Sequence, residues 1–201
     1  RFFAGYDLDA VDLDSSNLIS EAYAKGSPMG SDINNNNDMN PHFLVWAVKG
    51  KHGAPLQRVQ IVKGWIDTNS GRPKEMVFDV VCSDGLAVDP ITHRCPDNNA
   101  KVDINTCKIS VNAGAVELKA KWQDPKFNPK DSAFYYVRVL ENPTCRWSTW
   151  DAINAGYKPR KDLHATIQER AWSSPIWYVP EDSGIDTIPL TGTSGILNFV
   201  D

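Results

Sequence analysis

Apolar and polar residues alternate along much of this chain. The segment 116–122 places an apolar residue at every second position, with Glu or Lys between. Such a period of two predicts a strand with one face toward water. Similar alternation over 59–65 and 76–82, with Asn69-Ser70-Gly71 between them, indicates a hairpin. The uninterrupted apolar run 43–48 is typical of a strand covered on both faces.

Two segments have helical spacing instead. Apolar residues recur at helical intervals over 18–23, so we expect a helix that is capped by Asp14 or Ser15 and ended by Gly26. A second short helix is predicted from Ser148 to Ala155. The segment 31–40, which contains four consecutive asparagines, is predicted to be a polar loop.

Strands separated by turn signals, with few helices and no regular strand–helix alternation, predict a mainly β protein. The predicted fold class is an antiparallel β-sandwich of about seven or eight strands, immunoglobulin-like or fibronectin-like, with one or two short helices. We expect one β-sandwich domain over 1–180, with a strand and helix over 1–27 leading into it. Residues 181–201 are expected to form a C-terminal tail packed on the surface. The chain opens at Arg1 rather than Met, which favours a processed or cut piece of a longer protein.

The segment 134–179 is dense in aromatic residues and holds four of the seven tryptophans. Large aromatic side chains are mostly buried, so the segment is predicted to be core. A ligand platform is the alternative interpretation.

Four cysteines lie in polar, turn-rich surroundings: Cys82, Cys95, Cys107 and Cys145. An even number without zinc-type spacing predicts two disulfides and an oxidising compartment. Three pairings are possible, and turn signals between Cys82 and Cys95 favour Cys82 with Cys95 and Cys107 with Cys145.

Net charge and the length of the apolar runs exclude some classes of function. A net charge of −4 argues against a nucleic-acid surface, which needs clustered Lys and Arg. No apolar run is long enough to span a bilayer, and no signal peptide is evident at the start of the sequence.

No catalytic or metal-binding motif is visible in the sequence. The four histidines are scattered in loop contexts and lack metal-ligand spacing: His42, His52, His93 and His164. Glu169 and Arg170 precede an apolar strand and are candidates for a structural ion pair or an interface. An acid/base role for this pair is the alternative. We therefore predict no catalytic residue, no bound metal and no cofactor in this chain.

Six ordered strings carry a family resemblance: Arg1 to Gly5, Ala24 to Asp32, Phe43 to Ala47, Gln60 to Trp65, Ala133 to Val139 and Glu169 to Tyr178. With these strings the chain resembles, from Arg1 to about Pro180, the C-terminal section of the bacterial domain-of-unknown-function family 3604. Full-length members of that family resemble exported metal-dependent phosphoesterases of the polymerase-and-histidinol-phosphatase (PHP) type.

The resemblance implies an upstream domain that carries the metal ligands, which this sequence lacks. We expect a non-catalytic accessory β-sandwich, periplasmic or secreted, that packs against a PHP-like hydrolase domain of the same polypeptide. A divalent metal would belong to that upstream domain. The alternative is a stand-alone secreted module that binds a glycan or calcium through its aromatic or Asn/Asp-rich loops.

Overall fold

Two β-sheets packed face to face form the body of the protein in the computed structural model, which describes residues 1–180. In chain order the elements are β1 (Phe2–Gly5), a 3-10 helix (Leu8–Ala10), α1 (Leu18–Lys25), β2 (Ser27–Pro28), β3 (Asp32–Asn34), β4 (His42–Val48), β5 (Leu56–Asp67), β6 (Arg72–Cys82), β7 (Val102–Asp103), β8 (Lys108–Ile109), β9 (Glu117–Gln123), β10 (Ala133–Glu141), β11 (Thr144–Cys145), α2 (Trp147–Asn154), β12 (Thr166–Ile167), β13 (Arg170–Trp172) and β14 (Ile176–Val179).

The smaller sheet has the strand order β2-β1-β4-β9, and all its pairs are antiparallel. The larger sheet has the order β3-β14-β10-β5-β6, and β13 also pairs with β10. Only its β3–β14 pair is parallel among the described strands. Two short ribbons, β7–β8 and β11–β12, lie outside these sheets. The prediction of a mainly β, predominantly antiparallel protein is confirmed.

The inner faces of the two sheets form the main core. Phe2, Phe43 and Val45 from the smaller sheet pack with Ile61 and Tyr135 from the larger one. The Phe43 and Tyr135 rings have their centroids 4.5 Å apart. Burying these large aromatic and branched side chains is the main driving force for joining the sheets.

The outer face of the smaller sheet is also covered. Leu18 and Ala22 of α1 pack with Phe3 and Leu44 in a second buried cluster. Both faces of β4 are therefore buried over its first residues, which explains its uninterrupted apolar sequence. Among the described residues, no helix covers the corresponding outer face of the larger sheet.

Several boundaries differ from the sequence prediction. Asn17 precedes α1 in place of the predicted cap, and its backbone N–H donates to Ser15 Oγ. The second helix starts at Trp147, one residue before the predicted start. Part of the predicted polar loop is β3, because Ile33 is buried against the core and its neighbours pair with β14.

The N-terminal strand is an inner strand of the smaller sheet. All four residues of β1 are buried, between β2 and β4. The segment that we expected to lead into the sandwich thus contributes to its core. The predicted C-terminal tail, 181–201, lies outside the described residues.

Candidate docking face and arginine pocket

The tryptophans of segment 134–179 are exposed, and the prediction that they belong to the core is wrong. Trp147, Trp172 and Trp177 expose 73%, 60% and 48% of their surface. The physical reason is the alternation of the strands. Trp177 lies beside buried Ile176 and Tyr178 on β14, so the pleat sends its side chain to the opposite face.

Aromatic residues line one end of the larger sheet's outer face. Phe134 on β10 is paired with Trp177 on one side and with Gly64 of β5 on the other. The Phe134 and Trp177 rings lie 5.2 Å apart, and the Tyr136 ring is stacked near Phe134 at 6.4 Å. These separations are typical of favourable aromatic pairs. An outer sheet face in water usually carries polar residues instead.

Gly64 leaves room for the Phe134 ring next to the backbone of β5. A Cβ atom added at Gly64 would overlap the Cζ end of the Phe134 ring. The glycine therefore leaves room for the ring over the β5 backbone, where it fills the space that a side chain would take.

The strand ends beside these rings enclose a groove of about 730 Å³. We call it the aromatic groove, and its wall residues include Gly64, Trp65, Ile66, Phe134 and Trp177. Lys74 also lines it, and the ammonium of Lys74 forms an ion pair with the Asp67 carboxylate. The hydrogen bond from Lys74 is the main reason that the pKa of Asp67 lies below its ordinary value. The groove thus combines an apolar floor with a charged rim.

The other end of the same face carries arginines around an exposed tryptophan. Trp172 of β13 lies directly opposite Arg138 of β10, and Arg170 lies two residues before Trp172 on the same side of the strand. Leu140 of β10 is paired with Arg170 of β13 on one side and with Arg58 of β5 on the other. Three guanidinium groups thus occupy neighbouring positions on this end of the sheet.

Asp79 neutralises only part of this positive charge. The Asp79 carboxylate is buried and pairs with Arg58 at 3.0 Å and with Arg94 at 3.5 Å. It also accepts from the Gln60 side chain at 2.6 Å and from the Cys95 backbone at 2.7 Å. These four partners occupy the oxygens of the Asp79 carboxylate, so it does not neutralise Arg138 or Arg170.

Within residues 1–180, no carboxylate lies at ion-pair distance from Arg138, Arg146 or Arg170. Arg138 Nε donates to the neutral Gln60 Oε1 at 2.6 Å, and Arg146 Nε donates to the His164 carbonyl at 3.2 Å. Arg146, Arg170 and Trp172 line a depression of about 360 Å³ together with His164, Thr166, Ile167, Gln168 and Glu169. We call this depression the arginine pocket.

A buried charged cluster lies on the inner face. Lys63 Nζ donates to Asp124 Oδ2 at 2.5 Å, and the Tyr135 hydroxyl donates to the same oxygen at 2.9 Å. Burial, with the Asp124 charge, raises the pKa of Tyr135 well above its ordinary value. The side chains of Lys63 and Asp124 are almost completely buried, so the cluster belongs to the core and a substrate cannot reach it. In the sequence, this cluster is indicated by Lys63, which lies between Ile61 and Trp65 at a position whose side chain faces the core.

The cysteines and the Glu169–Arg170 pair lie in different parts of the molecule. The disulfides join Cys82 to Cys95 and Cys107 to Cys145, which is the pairing that the sequence favoured. Glu169 and Arg170 are exposed, and no ion pair joins them to each other or to another residue of 1–180. Both line the arginine pocket and the mouth of a cleft of about 370 Å³ between the sheets. This position is compatible with an interface.

The described residues contain no group of three or more His, Cys, Asp or Glu side chains arranged to hold a metal ion. In the asparagine-rich segment, Asn35 Nδ2 donates to Asp38 Oδ1 at 3.0 Å, so these side chains satisfy each other. The donor set therefore does not fit the divalent metal of a PHP-type centre. None of the described helices has the length and apolar character needed to cross a membrane.

Comparison with known proteins assigns the chain to a family. The family model described as "Protein of unknown function (DUF3604)" matches residues 1–180. The chain belongs to this DUF3604 family. The DUF3604 match covers all the residues that the structure describes, and so it includes both sheets, the aromatic groove and the arginine pocket.

Two curated relatives share part of the sequence. The DUF3604 chain is 30% identical to "Probable polyketide synthase 34" of Dictyostelium discoideum over an alignment of 124 residues, which covers 58% of the chain. It has the same identity and coverage to "Probable polyketide synthase 30" of that organism. The match spans only 4% of each relative. No solved structure matches the chain significantly.

Proposed function

We propose that this DUF3604 chain is a non-catalytic accessory β-sandwich of an exported bacterial protein. It packs against a PHP-like, metal-dependent hydrolase domain of the same polypeptide through the aromatic groove. The compartment is the periplasm or the exterior, where disulfides such as Cys82–Cys95 and Cys107–Cys145 persist. The divalent metal belongs to the hydrolase domain.

The observation that carries this proposal is the composition of the larger sheet's outer face. Phe134, Tyr136 and Trp177 form a ring cluster there, and exposed Ile66 extends it along β5. Tyr, Trp and Arg are enriched at protein interfaces and dominate their binding energy. The contrast with the smaller sheet supports the same conclusion, since α1 already covers the equivalent face there.

Site-specific cross-linking tests this proposal on the complete polypeptide. A photoreactive amino acid replaces Ile66, in the aromatic groove, or Trp147, which is more exposed and lies outside the groove. We expect cross-links from position 66 to residues outside 1–201, and none from position 147. An absence of cross-links from position 66, or equal cross-linking from both positions, would contradict the proposal.

Metal analysis tests whether the metal belongs to the proposed hydrolase domain or to the accessory β-sandwich. Transition metals are measured in the complete polypeptide and in residues 1–201 after dialysis. We expect stoichiometric metal in the complete polypeptide and none in the shorter chain. Retention by residues 1–201 would place the metal centre in this chain and overturn the proposal.

The runner-up function is a secreted module that binds a glycan. The observation in its favour is the exposed Trp172 ring among arginines without carboxylate partners, since aromatic faces and polar groups together recognise sugars. The calcium form of this alternative has no comparable support in the described residues.

A further inference from the structure

The arginine pocket holds more positive charge than its surroundings neutralise. In a chain of net charge −4, Arg146 and Arg170, which line the pocket, have no carboxylate partner within residues 1–180, and neither has Arg138, the cross-strand neighbour of Trp172. Glu169 is the acidic residue that lines the same pocket, and it forms no ion pair with them in the described part of the chain. Arginines that bind only neutral oxygens retain donors for an anion, and a guanidinium binds carboxylate or sulfate oxygens through two parallel bonds.

Trp172 exposes 60% of its surface at the arginine pocket. Within residues 1–180, no aromatic ring packs on Trp172 and no cation lies over its face. In the strand register, Arg138 is its cross-strand neighbour, and Arg170 lies two residues before it on the same side of the strand. An indole face is electron-rich and attracts the slightly positive C–H groups of a sugar ring.

The remaining walls offer hydrogen bonds of the kind that sugar hydroxyls use. Thr166 contributes a hydroxyl, His164 an imidazole and Gln168 an amide. Gln168 Nε2 already donates to Gln57 Oε1 at 2.8 Å, which fixes the amide and leaves its oxygen as an acceptor. The pocket volume of about 360 Å³ lies at the lower end of the range for small-ligand sites.

We propose that the arginine pocket binds an acidic sugar, a pyranose that carries a carboxylate or a sulfate. The sugar ring lies against Trp172, and its anionic group is bound by Arg170 and Arg146, the two arginines that line the pocket. This site is distinct from the aromatic groove and goes beyond the accessory role. An accessory domain with such a site would present an anionic polysaccharide to its parent protein.

Isothermal titration of residues 1–201 at about 0.15 M salt tests the proposal, because this salt concentration screens non-specific attraction between surface charges. The probes are trigalacturonate for the carboxylate source, a chondroitin sulfate tetrasaccharide for the sulfate source, and maltotriose as the neutral sugar. We expect one or both acidic sugars to bind and maltotriose to bind at least about tenfold more weakly. The acidic sugar that binds identifies the source of the anionic group. If neither acidic sugar binds, or if maltotriose binds as tightly as the acidic sugars, the proposal is wrong.

Matched variants show whether the ring and the charges act together. Arg170→Ala and Trp172→Ala should each weaken acidic-sugar binding at least about tenfold, and Trp172→Phe should retain most of it. The controls are Arg72→Ala, an exposed arginine outside the pocket, and Trp147→Ala, an exposed tryptophan outside it, and both should bind normally. Unchanged thermal unfolding of each variant excludes loss of fold.

Loss of binding in Arg170→Ala with full binding in Trp172→Ala would overturn the sugar assignment, since a simple charge site would behave in this way. The outcome is independent of the docking proposal. Cross-linking at Ile66 reports on the aromatic groove, whereas these titrations report on Arg170 and Trp172 at the other end of the face.

Discussion

The two faces of strand β10 use the same residue types for opposite purposes. On the inner face, Tyr135 is fully buried, and its hydroxyl donates to Asp124. On the outer face, Phe134 and Tyr136 are partly exposed and form part of an open ring cluster. Three consecutive aromatics are therefore divided by the pleat between core and surface. A high density of aromatic residues in a sequence indicates that the segment makes large contacts. It does not show whether those contacts are with the protein's own core or with another domain.

The largest expected effect concerns the inner face. Asp124→Ala should reduce the free energy of unfolding by about 3–5 kcal/mol, because it leaves the ammonium of Lys63 buried without its counter-charge. Urea unfolding measures the change. The control is Asp162→Ala, which removes an exposed ion pair with Arg160 and should have no measurable effect. Equal effects of the two substitutions would show that the Lys63 ammonium does not depend on Asp124 for its counter-charge.

Tyr135→Phe gives the next largest effect, and it adds a pH dependence. Losing the hydrogen bond to the Asp124 carboxylate should cost about 1.5–3 kcal/mol. Burial raises the pKa of Tyr135 above its unfolded value of about 10. A raised folded-state pKa gives a stabilisation that is complete below pH 10 and is lost as the pH rises above it.

Urea unfolding of the wild type and of Tyr135→Phe at pH 8 to 11 measures this effect. The wild type should lose more stability than the variant above pH 10. Tyr157→Phe, at an exposed tyrosine, should follow the wild type. Parallel curves for the wild type and Tyr135→Phe would contradict the assignment.

Gly64→Ala tests how the outer face is built. The added Cβ atom overlaps the Phe134 ring and should displace it, at a cost of about 1–2 kcal/mol. Gly50→Ala is the matched control, since its Cβ atom would have an ordinary contact at 3.8 Å. In the background of Phe134→Ala, the cost of Gly64→Ala should largely vanish. An undiminished cost there would show that the ring is not the obstacle.

The smallest effect on stability is expected at Trp177. Trp177→Ala should cost about 1 kcal/mol or less, because the side chain is half exposed and loses mainly its contact with Phe134. Its neighbour Tyr178 is buried on the other face, and Tyr178→Ala should cost about 3–5 kcal/mol. Thermal unfolding compares the two variants. Similar losses of stability would contradict the division of β14 into a core face and a docking face.

The sequence was informative where one local pattern decides the structure. The alternation over 116–122 corresponds to β9, where Leu118 and Ala120 face the core. The turn signals between Cys82 and Cys95 correspond to a disulfide in the structure. These features depend on residues close together in the chain, which is why a single sequence contains them.

Features that depend on distant residues were missed. Strand β3 forms within a polar segment because β14, far away in the chain, supplies its pairing partner. Asp124 neutralises Lys63 across 61 residues, and no local pattern indicates that contact. The sequence predicts a core position for the exposed tryptophans because the composition of a segment does not show which side of a strand faces the opposite sheet. The position of Trp172 opposite Arg138 likewise depends on the register between β10 and β13.

Hydroxyl-radical footprinting of tryptophan side chains tests the central proposal, that a further domain of a longer, complete polypeptide covers the aromatic groove. In residues 1–201 alone, the radicals should modify Trp177 and Trp147 readily, since both are exposed. In the complete polypeptide, Trp177 should be protected while Trp147 stays reactive. Equal reactivity of Trp177 in the two forms would contradict the account, because it would leave the aromatic groove open to solvent.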